Sequence, residues 1–152
     1  FLWGQKQERT PTWYGMFLES GEETEIVDAM HKIWTGNWPE NRCPVLDSLS
    51  INGKKIYDQV YLKPGEDFKA VVVAHDLEGD PLTYRWEVLP ESTDLGWGGD
   101  HESRPETLLH QVGEPSMALK APHTEGAYRL FAYITDGHNH AATANFPFFV
   151  RK

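Results

Sequence analysis

Leu82, Tyr84, Trp86 and Val88 alternate with Thr83, Arg85 and Glu87, a period of two that predicts a strand with one apolar face. Tyr128, Leu130, Ala132 and Ile134 repeat that alternation later, and residues 68–74 form a short, nearly continuous apolar run suited to a strand buried in a sandwich. Turn chemistry separates these runs. Asn52-Gly53 predicts a type I′ hairpin joining Leu49-Ser50-Ile51 to Lys54-Lys55-Ile56, because both central positions of that turn need positive φ. Lys63-Pro64-Gly65-Glu66 predicts another turn, and Pro147 within the last strand, residues 140–150, predicts an edge or a bulge.

From residue 44 onward the pattern is therefore β, without a helical period. Strands punctuated by turns predict a mainly β, two-sheet sandwich. A Trp at 86 on a central strand, and a Tyr at 128 just after Glu125-Gly126, fit an immunoglobulin-like arrangement. The two apolar quartets should then face one dry layer.

The first 43 residues read differently. Ser20 and Glu23 form a capping-box pattern. Ile26, Val27, Met30, Ile33 and Trp34 share one face at helical spacing, and Gly36 supplies the stop. Before this helix come an apolar, strand-like start, Phe1-Leu2-Trp3, and a polar loop, residues 4–12. A strand–loop–helix unit cannot bury itself alone, so it is expected either to be the remnant of a larger domain or to dock its helix on the sandwich. Residues 37–44 read as the linker. The start resembles the inside of a strand, which predicts a chain beginning mid-protein. If a larger domain is missing, the helical stripe together with Trp13, Trp34 and Trp38 should be adhesive, and self-association is expected.

The whole chain has 152 residues, enough for one ordinary domain or a small domain with an appendage. Its 14 Lys+Arg against 23 Asp+Glu give a net charge of −9, which argues against a phosphate backbone as partner. No apolar run approaches the roughly 20 residues that a membrane helix needs. The single cysteine, Cys43, excludes an internal disulfide framework and a cysteine-rich zinc site.

Chemistry concentrates in Ala74-His75-Asp76-Leu77-Glu78-Gly79-Asp80-Pro81. If Asp76 ends one strand and Leu82 begins the next, this loop lies at one pole, to which Asp136-Gly137-His138-Asn139 also returns. Asp76, Asp80 and Asp136 then converge, with Glu78 and Asn139 near them. Hard oxygen ligands beside a glycine suit Ca²⁺; the plainer reading is that each Asp accepts hydrogen bonds from turn amides. A glycosidase pair is disfavoured because no cleft for a sugar is evident. His138 and His140, with His75, could form a transition-metal set, though solvated loop histidines are the simpler expectation. Trp97 sits between glycines in Leu95-Gly96-Trp97-Gly98-Gly99, so it either presents its ring to a sugar or plugs one end of the sandwich.

Pro64-Gly65, residues 74–86, and Gly126-Ala127-Tyr128 running to Asp136-Gly137 resemble the PKD and cadherin-like branch of immunoglobulin-like domains. Glu87-Val88-Leu89-Pro90-Glu91 stands where that pattern has Gly-Asp-Gly. Residues 1–17 are similar to the last strand and loop of a TIM-barrel glycoside hydrolase, which implies a sugar-stacking role for Trp3 and makes the following helix the barrel's eighth. Together the resemblances imply residues 1–43 as the closing piece of such a barrel plus linker, and 44–152 as an accessory sandwich. The implied function is non-catalytic support, and substrate holding, in a periplasmic or extracellular polysaccharide-degrading enzyme, with polysaccharide or the enzyme's own catalytic domain as partner. The rival readings are a carbohydrate-binding module and a calcium-dependent adhesion or interaction domain.

Overall fold

A computed structural model describes residues 15–18, 20–93, 103 and 105–152. Helix α1 (Glu25–Thr35) precedes eight strands: β1 (Val45–Ile51), β2 (Tyr61–Leu62), β3 (Asp67–His75), β4 (Thr83–Pro90), β5 (Leu109–Gly113), β6 (Ser116–Lys120), β7 (Gly126–Thr135) and β8 (Ala141–Val150). They form a three-stranded sheet, β1-β3-β6, and a five-stranded sheet, β2-β8-β7-β4-β5. The chain is an immunoglobulin-like two-sheet β-sandwich.

The two quartets meet as the alternation predicts. In the antiparallel β4–β7 pair, Tyr84 lies opposite Ile134, Trp86 opposite Ala132 and Val88 opposite Leu130. Trp86, Leu130 and Ile134 are fully buried, and Leu82 and Tyr84 pack against the same cluster. The other sheet contributes Ile51, Phe68, Ala70, Val72 and Leu119, and β8 adds Phe146 and Phe148. The buried indole still needs an acceptor, and Trp86 Nε1 donates to the Glu114 carbonyl at 3.1 Å. Tyr128 donates its hydroxyl back to the Thr124 carbonyl at 2.8 Å, fixing the entry to β7.

Two local expectations are corrected, and a third is met. Asn52 and Gly53 do adopt positive φ, 51° and 75°, but the hairpin stops at the Ile51–Lys54 bridge. β1 pairs instead with β3, Leu49 opposite Val72, because that partner offers a long apolar ladder, whereas Ile56 and Tyr57 lie exposed beyond the turn. The helix starts four residues later than the capping box implied: Thr24 is its N-cap and makes no side-chain cap. The Thr24 hydroxyl instead donates to the Gly15 carbonyl at 2.9 Å, and Ser20 bonds Glu22. Pro147 lies within β8, but β2 reaches only Phe149 and Val150, so among the described residues no strand flanks Pro147 on that side and it sits at an edge, as expected.

Residues 17, 18 and 20–23 belong to a tight turn laid beside the start of β8. Leu18 N–H donates to the Glu22 carbonyl at 2.8 Å, Glu23 N–H to the Asn139 carbonyl at 2.8 Å, and Ala141 N–H to the Glu23 carbonyl at 2.8 Å. This turn places Leu18 on the outer face of the five-stranded sheet, in a second apolar cluster with Leu89, Phe131, Tyr133 and Ala141. Trp86→Ala should cost about 3–5 kcal/mol of unfolding free energy, whereas Leu77→Ala, at a half-exposed loop position, should stay within about 0.5 kcal/mol. Urea denaturation followed by circular dichroism checks both.

Candidate metal centre at one pole of the sandwich

Asp76 follows the last residue of β3 and Asp136 follows the last residue of β7, and the two build the same local device. Asp76 Oδ1 accepts hydrogen bonds from Glu78 N–H and Asp80 N–H, both at 2.9 Å. Asp136 Oδ1 accepts from His138 N–H at 2.7 Å and His140 N–H at 3.2 Å. The bends need a left-handed residue, which Gly79 (φ 88°) and Gly137 (φ 80°) supply. The turn role foreseen for Asp76 and Asp136 is therefore present in the hydrogen bonds, whereas Asp80 accepts from the Asn41 side chain.

The two turns also bring Asp76, Asp80 and Asp136 together, with one carboxylate oxygen of each lying within 4.8 Å of the others. Glu78 turns toward the linker, its Oε2 accepting from Arg42 N–H at 3.1 Å. Asn139, at φ 69°, joins through its backbone carbonyl to Glu23 N–H. His75 goes elsewhere and faces Asp47 at 2.9 Å. His140 Nδ1 lies 2.9 Å from Asp136 Oδ2 and 2.8 Å from Asn41 Oδ1, so its N–H is shared between two acceptors. His138 Nε2 stands 3.6 Å from Asp80 Oδ1.

Charge is unbalanced here. Asp136 is buried and Asp80 three-quarters so, and among the described residues no Lys or Arg pairs with any of the three. At an effective dielectric of about 20, two carboxylates at such a separation repel by about 3 kcal/mol. Asp76 Oδ2 is sealed from solvent and has no hydrogen-bond partner, a costly state for a charged oxygen. Oxygens bound to one Ca²⁺ at about 2.3–2.6 Å lie at most about 5 Å apart, so the cluster fits a single such ion. An all-carboxylate set selects a hard cation over a transition metal.

The linker closes the pole. Asn41 Nδ2 donates to Asp80 Oδ2 at 2.6 Å. Asp28, the one buried residue of α1, accepts from Cys43 N–H at 2.9 Å and Arg42 Nε at 3.0 Å, and Arg42 stacks on Trp38 at 3.7 Å. The sequence reading missed Asn41, Arg42 and Asp28. Burial, reinforced by the nearby Asp28 charge, pushes ionisation of the Cys43 thiol up, so this cysteine is a packed neutral group. Of the two expectations for α1, docking of its apolar stripe on the sandwich is corrected: the anchored side is Asp28, and at 100° per residue the stripe of Ile26, Met30 and Ile33 lies opposite. Ile33 is 72% and Trp34 74% exposed, so the stripe is not docked on the sandwich.

A second polar cluster lies on the outer face of the five-stranded sheet, beside a groove of about 490 Å³. There the buried Glu87 carboxylate accepts from Arg85 at 2.5 Å, His110 at 3.2 Å and Tyr133 at 3.2 Å. Both its oxygens have donors, as a buried structural carboxylate requires. Trp3 and Trp97, the expected sugar-stacking residues, lie outside the described residues.

No protein-family profile matches this chain, and no curated protein matches it. Among solved structures it is similar to the PKD1 domain of Vibrio anguillarum Epp, at 17% identity over 74% of this chain and 98% of that one, with a TM-score of 0.45. It is similar to the PKD domain of an M14-like peptidase from a Thermoplasmatales archaeon, at 18% identity over 74% and 99%, TM-score 0.45. It is also similar to the PmoD soluble domain from Methylocystis sp., at 10% identity over 76% and 95%, TM-score 0.45. No residue's role is carried over from any of them.

Asp28→Ala leaves the Arg42 guanidinium without its partner and should destabilise by about 3 kcal/mol, release α1, and open Cys43 to a thiol reagent that leaves the native chain untouched. Hydrogen exchange along α1 and thiol titration report these effects. The raised Cys43 ionisation also sets a sign. Only the unfolded thiol ionises at its usual value near ~8.5, so this contribution to stability is whole below that pH and falls as pH climbs past it. Denaturation across that range should show the decline, and Cys43→Ala should flatten it.

Proposed function

We propose that this chain is the non-catalytic accessory sandwich of a periplasmic or extracellular polysaccharide-degrading glycoside hydrolase, seated on the catalytic barrel through α1. The observation that carries this reading is the exposed apolar side of α1. An amphipathic helix held to the linker by a buried aspartate, with Ile33 and Trp34 turned outward, has much of its apolar side open to another body. The likeness of residues 1–17 to the end of a barrel supplies the nature of that body. Support rather than turnover is the role: the carboxylates at the pole serve as turn acceptors and a charge cluster.

A second reading, a calcium-dependent interaction domain, is favoured by the partnerless Asp76 Oδ2 within the Asp76–Asp80–Asp136 cluster. The two readings are compatible, since the pole also holds the linker that leads to α1. No described helix is long and apolar enough to cross a membrane.

Stripped of its barrel, the chain should associate as its concentration rises in sedimentation velocity, and Ile33→Glu with Trp34→Glu should return it to monomer. A monomer at every concentration, with the double variant indistinguishable, would sink the docking reading. Within the intact parent enzyme the same double variant should lower the melting temperature of the barrel while leaving the sandwich transition in place. Millimolar Ca²⁺ should raise the melting temperature of the wild-type chain and have no effect on Asp76→Asn. The absence of both a shift and a calorimetric heat would remove the metal.

A further inference from the structure

Resting on the reading that this chain serves a polysaccharide-degrading enzyme, we infer that the end of the sandwich opposite the acidic pole binds an acidic polysaccharide. A uronate-bearing pyranose lies on Phe149, and its carboxylate pairs with Arg151. Residues 52–69, 120–126 and 151–152 lie at this end, and they hold seven of the chain's 14 Lys and Arg but only four of its 23 Asp and Glu. In a chain of net charge −9 this is a local reversal of sign, and it favours an anionic partner. Among the described residues no carboxylate pairs with the side chain of Lys63, Arg151 or Lys152.

Beside those cations stands an aromatic platform. Tyr61 of β2 and Phe149 of β8 are paired in register, with ring centres 5.7 Å apart and planes 25° from parallel. Arg151 Cζ lies 3.7 Å from the Tyr61 ring centre. A guanidinium stacked in this way keeps its planar row of donors for a carboxylate. The backbone beneath is fixed: Phe149 N–H donates to the Val60 carbonyl and Arg151 N–H to the Leu62 carbonyl, both at 2.9 Å, and Val60 and Leu62 are buried. The rings are nevertheless open, Tyr61 being 40% and Phe149 46% exposed. The β7 partner of Phe149 is Ala127, so on that side only a methyl stands beside the ring. Tyr57, on the segment entering β2, is 94% exposed.

The two features select one ligand chemistry together. A pyranose has a face of C–H groups that gains by covering an aromatic ring, but a neutral sugar makes no use of Arg151 and Lys63. A polyanion without such a face uses the cations and leaves Phe149 in water. A uronate polymer satisfies both, and its partner groups are already in place, so little ordering is lost on binding. This site is remote from α1, so holding substrate and seating on a barrel are separable.

The test is affinity electrophoresis of the full chain, with EDTA present, through gels holding polygalacturonate, dextran, polyglutamate or single-stranded oligothymidine. Polygalacturonate should retard the chain, less so as salt is added, and the other three should not. Phe149→Ala and Arg151→Gln should each weaken retention about tenfold; unchanged circular dichroism and melting show that both are folded. Ile33→Glu with Trp34→Glu should be retained like the wild type. Equal retention by dextran, by polyglutamate or by the oligonucleotide would overturn the acidic-sugar inference, as would retention that ignores both Phe149→Ala and Arg151→Gln. A chain that associates through α1 but passes polygalacturonate freely sinks this inference alone. A chain that is retained but stays monomeric at every concentration sinks the docking reading and leaves the sugar site standing.

Discussion

A carboxylate cannot leave water without finding donors or an ion, and the pole of the sandwich that carries the linker hangs on that constraint. Asp28 is 1% exposed and Asp136 3%. Each organises chain that no continuous apolar core reaches: Asp136 folds the β7–β8 loop about its Oδ1, Asp76 folds the β3–β4 loop in the same way, and Asp28 collects the linker. Hydrogen bonds to charged acceptors are short and directional, so three chain crossings are held in register by a few oxygens. The free side of α1 follows from the same cause. Because the helix is pinned by a polar group, its apolar residues are not consumed in packing against the sandwich.

Where one physical rule decided the outcome, the residues could be read directly. β4 and β7 carry a clean period of two, one face had to be dry, and Trp86, Leu130 and Ile134 are fully buried as that rule requires. Convergence of Asp76, Asp80 and Asp136 was equally legible, since both loops had to return to one end of the sheets. Legibility ended where two rules competed. Lys54-Lys55-Ile56 had the turn for a hairpin but not the ladder, and β3 offered β1 a longer partner. Ser20 and Glu23 matched a capping box, but Glu23 was engaged by the start of β8 through its backbone, so the helix began after it.

The other misses share a different origin. Nothing local marks Asn41, Arg42 or Asp28 as partners, because their contacts span 39, 14 and 15 positions along the chain. Asp28 lay on the polar side of an amphipathic pattern, the side ordinarily given to water. The double-sided burial of β7 was hidden in plain view: Tyr128-Arg129-Leu130-Phe131-Ala132-Tyr133-Ile134 is apolar at nearly every position. Phe131 and Tyr133 needed a cover, part of which Leu18, far away in sequence, supplies.

β8 ties these features into one mechanical path. Its first residue receives Glu23, its preceding loop carries Asp136, its middle supplies Phe146 and Phe148 to the core, and its end pairs with β2. Any body seated on the outward stripe of α1 is thereby linked to the sandwich along two short routes. One runs through Asp28 to Arg42 and Cys43, the other through Glu23 to Ala141. One attachment within the helix and one just before its N-cap resist rotation as well as separation, which a flexible tether through residues 37–44 alone would not. Both attachments run beside the acidic pole, through Asn41–Asp80 on one side and the Asn139 carbonyl on the other.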